Sequence, residues 1–158
     1  MMEIATSSVL LRIQGKRAIG KGPERAVKRN IVLYLVTLAV LMVLDFLFLG
    51  VLAKGFFVAE VGDMLAEVKL LPTIFFYLLY VVGVLIFVST RATTRHSTLL
   101  YGALFGLFCY ATFDLTSLAL LKHWSWAVAA VDISWGAVVT AISAIAGLAV
   151  ADVFAPRS

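Results

Sequence analysis

Three of the nine acidic residues, Asp45, Asp114 and Asp132, lie inside long apolar runs, where a carboxyl group can take up a proton, hold a cation or accept hydrogen bonds. Bringing a charged side chain to mid-bilayer depth costs at least about 2.5–3.5 kcal/mol on insertion scales, so an acid in such a run needs a partner or a use. Three of them on three separate runs predict one shared polar site. Carboxyls that approach one another in such a layer titrate as a coupled group rather than singly.

The elements that must position these acids follow from composition. The chain has 158 residues, 63% hydrophobic and 14% charged, with a mean hydropathy of +1.05. A soluble domain carries roughly a quarter charged residues, so the chain reads as a polytopic membrane protein whose principal partner is the lipid bilayer. Four apolar runs, at about 31–53, 70–90, 98–121 and 127–151, are each close to the ~20 residues that span the hydrocarbon. They predict an all-α fold, an antiparallel bundle of four transmembrane helices occupying 30–152, with a short C-terminal tail at 153–158. Residues 1–29 hold seven of the thirteen Lys and Arg residues. Gly15, Gly20, Gly22 and Pro23 are expected to break any helix there, leaving a basic, flexible tail that touches anionic headgroups. The net charge of +4 therefore points to a membrane surface and not to nucleic acid.

Orientation is read from the basic residues. The N-terminal tail, the 91–97 connection and the C-terminal end hold seven, two and one of them, against two and one in the 54–69 and 122–126 connections. Both termini are expected in the cytoplasm of a bacterium, with the chain in its inner membrane. The polar 54–69 loop and the tight 122–126 turn then face outward, Trp124 and Trp126 forming an interfacial belt and His123 facing water or headgroups.

At a rise of about 1.5 Å per residue, Asp45 lies about 13 Å below Lys54, Asp114 about 12 Å below Lys122, and Asp132 about 9 Å beyond Trp126. Tyr77 and Tyr80 fall about 12–16 Å in from Lys69. Every helix thus offers a polar side chain to the same outer-half layer. Asp132, Gly136, Val139, Ser143 and Gly147 form a narrow stripe of small and polar residues, and Gly102 and Gly106 form a GxxxG, both suited to close helix contact. The plain alternative is interhelical bonding, Asp114 to Tyr77 or Tyr80, worth about 1 kcal/mol per pair. Three carboxyls and two phenols in one layer exceed what packing four helices requires, which favours a site. Trp135 neighbours Asp132 on the helical wheel and either closes this site or faces lipid. No GxSxG, HExxH or phosphate loop is present, and the single cysteine, Cys109, offers no internal disulfide or metal cluster. No cofactor or metal is evident.

The stretches LDFLFLG (44–50), FFYLLYVVG (75–83), YGALFGLFCYATFDLTSLALLKHW (101–124) and VDISWGAVVTAIS (131–143) resemble DUF2177, a family of bacterial predicted membrane proteins. Phe113, Ser117 and the Ile133-Ser134 pair stand where the family usually has Tyr, Asn and Met-Ala, and Phe48 where it commonly has Trp. The resemblance covers nearly all of 31–150 and implies the membrane architecture without an assigned activity. Matched position by position, it draws attention to Asp45, Tyr77, Asp114, Thr116, Asp132 and Trp135; Tyr80 joins them through its depth. Three functions compete: a protein that binds or transports a proton, cation or small amphipathic ligand from the outer side; a lipid-modifying enzyme using carboxylate acid–base chemistry; and an accessory subunit of a larger membrane complex. Four helices enclose little space, so a transport path would call for a homodimer. Catalysis is left open by the sequence.

Overall fold

The computed structural model describes residues 2–92 and 94–156, with side chains from Pro23 onward. Arg157, counted above at the C-terminal end, and the side chains of Arg12, Lys16, Arg17 and Lys21 lie outside the described residues. The chain is 87% helical. Helix α1 runs Met2–Leu47 and continues through a π-helical turn, Phe48–Leu52; α2 is Lys54–Val61, followed by a 3-10 turn, Gly62–Met64. Helix α3, Leu70–Val84, also ends in a π turn, Leu85–Ser89, and α4, Arg95–Leu120, and α5, Trp126–Phe154, complete the chain. Four segments are long and apolar enough to cross a membrane: Pro23–Leu52, Leu70–Ser89, Arg95–Leu120 and Trp126–Phe154.

Two local features depart from the sequence reading. Helix α1 is continuous across Gly15, Gly20, Gly22 and Pro23, where breaks are expected. A proline deletes one backbone hydrogen bond and bends a helix more often than it ends it where the freed groups have other partners, and a glycine costs only about 1 kcal/mol relative to alanine. The 54–69 connection is also not a plain polar loop. Its charged residues are interleaved with Phe56, Phe57, Val58 and Val61, and Val61 is fully buried, which is why the segment winds into α2. The start of α4 is set by a capping box in which Thr94 Oγ1 accepts from the Ser97 N–H at 3.1 Å and Ser97 Oγ accepts from the Thr94 N–H at 2.9 Å.

Helix α5 is the centre of the bundle, packed most extensively on α4 and next on α1. The stripe Asp132, Gly136, Val139, Ser143 and Gly147 is buried throughout. A methyl group at Gly106 would collide with the Gly136 carbonyl, one at Gly136 with the Tyr110 ring, and one at Gly102 with Ala141 Cα at 2.9 Å. Further along, Gly147 lies against Thr37 of α1. The α3 backbone comes close to α4 chiefly at its closing π turn, and just before that turn Gly83 receives the ring of Phe105. Beyond that point the two helices are bridged by side chains.

Gly106→Ala is expected to destabilise the protein by about 1–3 kcal/mol, the usual cost of overpacking, read as a lower unfolding temperature in detergent. Gly55→Ala in α2, where nothing lies within 4 Å of the added carbon, is expected to be neutral or stabilising by up to about 1 kcal/mol.

Candidate functional site

Each helix brings its polar residues inward by simple periodicity. On α1, Asp45 and Leu49 are one turn apart; on α5, Asp132 and Trp135 share a face; on α4, Tyr110 follows Gly106 and precedes Asp114 by a turn each. The three acids are all buried, at 2%, 0% and 9% exposure for Asp45, Asp114 and Asp132. Their partners differ, and the differences define the site.

The indole Nε1 of Trp135 donates to Asp45 Oδ1 at 2.8 Å, and Tyr77 lines the same cavity as this carboxyl. The Trp135 indole N–H thus points inward, while its ring, on which Phe48 stacks at a centroid distance of 4.0 Å and 7° between planes, lines a separate surface groove. Asp114 takes its hydrogen bond from the indole of Trp124 at 3.1 Å, while Asp114 Oδ2 is buried without a partner among the described residues. Neither tyrosine serves it. Asp132 lies within electrostatic reach of both other acids and has no hydrogen-bond donor among the described residues. Its carboxyl faces a cavity.

That cavity measures about 490 Å³. Asp45 and Asp132 supply its acids, Tyr77, Tyr80 and Tyr110 its phenols, and Leu49, Phe57, Phe76 and Phe113 most of its apolar wall. At its floor Thr140 Oγ1 donates to the Gly136 carbonyl at 2.6 Å. With its one proton so committed, Thr140 accepts from the Tyr80 hydroxyl across 2.7 Å. Tyr80 and Tyr110 meet edge to face with centroids 6.3 Å apart. Between α3 and α4 the wall is formed by Phe76 and Phe113, 44% and 56% exposed, so the cavity reaches the lipid-facing surface through aromatic rings.

Helix α2 lies against the end of the bundle that carries the α4–α5 turn, contributing Phe57 to the lining. It is tied to the α4–α5 turn by two contacts: Ser125 Oγ donates to Glu60 Oε2 at 2.6 Å, and the His123 ring meets the Asp63 carboxylate at 2.5 Å. His123 therefore faces an acid of the neighbouring loop in addition to solvent.

Of the expected residues, the structure brings Asp45, Tyr77, Tyr80 and Asp132 to one cavity, places Trp135 on Asp45, and sets Asp114 beside the cavity. Thr116 does not join them. It lies two residues beyond Asp114, a rotation of about 200° on a helix, so it is exposed and its hydroxyl bonds back to the Thr112 and Phe113 carbonyls. Sequence reasoning leaves out Tyr110, Phe57 and Trp124. Tyr110 was within reach, because it stands one turn from Asp114 and one from Gly106; Trp124 was not, since a tryptophan in an outer turn looks the same whether it faces headgroups or an acid.

This fold and site define a helical, polytopic membrane protein with an acid- and phenol-lined intramembrane cavity. The family model for DUF2177, predicted membrane protein, matches residues 30–149, and the chain belongs to that family. No curated protein and no solved structure matches it.

Two outcomes are expected. Trp135→Phe and Asp45→Asn should each lower the unfolding temperature, and a double-mutant cycle should show a coupling of about 1 kcal/mol, the usual worth of an interhelical hydrogen bond in a membrane. Asp63→Asn with Glu60→Ala should speed amide hydrogen exchange in 54–64 while exchange in the four spans stays unchanged.

Proposed function

We propose that this protein binds a small amphipathic molecule carrying a cationic or strongly hydrogen-bond-donating head, which enters sideways from the bilayer between α3 and α4. The observation that carries this reading is Asp132: a buried carboxyl on a cavity wall with no donor from the protein. A buried charge or acceptor left unpaired is costly, and a ligand N–H or O–H group would satisfy it. Asp45, already oriented by Trp135, would share the head group. The ~490 Å³ volume lies within the range usual for small-molecule sites. Exposed Phe76 and Phe113 would accompany the apolar part of the ligand, leaving its tail in lipid.

On this reading the chain sits in a bacterial inner membrane with both termini in the cytoplasm, as the excess of Lys and Arg in the tail and in the 91–97 connection supports. The cavity then lies in the outer half, beneath α2. Uptake into the site from the outer leaflet is the binding step of a transporter or a carrier.

The test uses three ligands with the same twelve-carbon tail: dodecylamine, dodecanol and dodecanoate. The purified protein is titrated with each in neutral maltoside micelles. Dodecylamine should bind most tightly and dodecanoate least. Asp45→Asn combined with Asp132→Asn should weaken the amine about tenfold or more, as expected for losing a hydrogen bond to a charged group. An unchanged rank order and affinity in the double variant would sink the reading.

A further inference from the structure

At the opposite end of the bundle, α1 and the π turn of α3 enclose a second cavity of about 440 Å³. Its polar rim is formed by Arg29, Asn30 and Ser89, and its apolar wall includes Leu33, Val82 and Ile86. The Arg29 guanidinium is locked in place: Nη1 donates to the Ala155 carbonyl and Nη2 to Asp152 Oδ1, each at 2.8 Å. These bonds use two of its five N–H groups. Ser89 Oγ is closed off from solvent and has no partner among the described residues, and Asn30 presents an exposed amide beside it. Asp152 offsets the charge of Arg29, so the rim meets an anionic oxygen through its hydrogen-bond donors.

Depth selects the occupant. Asn30 and Ser89 stand where their apolar runs end, at headgroup level. Val82 is seven residues inward of Ser89, about 10 Å along the helix. Donors therefore crowd the rim while an apolar groove descends from it, the arrangement expected for an oxyanion attached to an acyl chain. Basic pockets between transmembrane helices commonly hold lipid headgroups in this way. We propose that this cavity is a lipid site, with the phosphodiester of a glycerophospholipid accepting hydrogen bonds from Arg29, Asn30 and Ser89 and one acyl chain lying along Leu33, Val82 and Ile86. It is built from other residues than the acid-lined cavity and stands whether or not that cavity binds an amine.

The experiment compares phosphatidylglycerol, diacylglycerol of the same chains and inorganic phosphate, added to the full chain in neutral detergent. Retention is read by native mass spectrometry and stabilisation by thermal unfolding. Phosphatidylglycerol should be retained and should raise the unfolding temperature; diacylglycerol and inorganic phosphate should do neither. Asn30→Leu with Ser89→Val should weaken retention about tenfold, the worth of roughly two neutral hydrogen bonds, and Ser89→Ala alone should weaken it less. Equal retention by the wild type and both variants, stabilisation by diacylglycerol to the same extent, or stabilisation by inorganic phosphate alone would each overturn the lipid site.

Discussion

The arrangement depends on two backbones being allowed to touch. Where α4 crosses α5, Gly106 and Gly136 carry hydrogen atoms in place of methyl groups, and a carbon on either would strike the other helix. In a bilayer there is no hydrophobic gain from pressing one apolar helix on another, so close packing and interhelical hydrogen bonds must hold the bundle. The crossing supplies the packing, and Thr140, between Gly136 and Tyr80, supplies hydrogen bonding. Everything outward of the crossing follows from it: Tyr110 and Asp114 are one and two turns beyond Gly106, Asp132 is one turn beyond Gly136, and they are delivered to the same side.

The same crossing explains how a small bundle keeps three acids in its interior. Two accept from indoles, Asp45 from Trp135 and Asp114, through Oδ1 alone, from Trp124. Tryptophan suits this task because its large ring is apolar while its N–H is a donor only. The third, Asp132, is left to the cavity. Asp132 thus differs from the other two in taking no hydrogen bond from an indole, and it lines the cavity directly.

Much of this was legible in the sequence, because membrane spans are long and their small-residue stripes are periodic. The four spans, the buried stripe on α5 and the packing role of Gly102 and Gly106 follow from spacing alone. So does the convergence of Asp45 with Asp132, since depth is linear in residue number. What escaped depends on rotation or on the long range. Thr116 is two residues from an inward acid and therefore faces outward, whatever its likeness to family positions suggests. The π turns at Phe48–Leu52 and Leu85–Ser89 each add a residue to a turn, which no hydropathy pattern reveals. The pairing of Glu60 and Asp63 with Ser125 and His123 joins segments about sixty residues apart, and nothing local to either announces it.

Helix α3 is fastened to α4 mainly at one end, where Gly83 receives Phe105. From that pivot to Leu70 the helix extends about 20 Å, so a tilt of about 5° shifts its far end by about 2 Å. The bond from Tyr34 to the Leu78 carbonyl and that between Tyr80 and Thr140 hold this length against such a tilt, so the spacing of Phe76 from Phe113 rests on two hydrogen bonds to other helices.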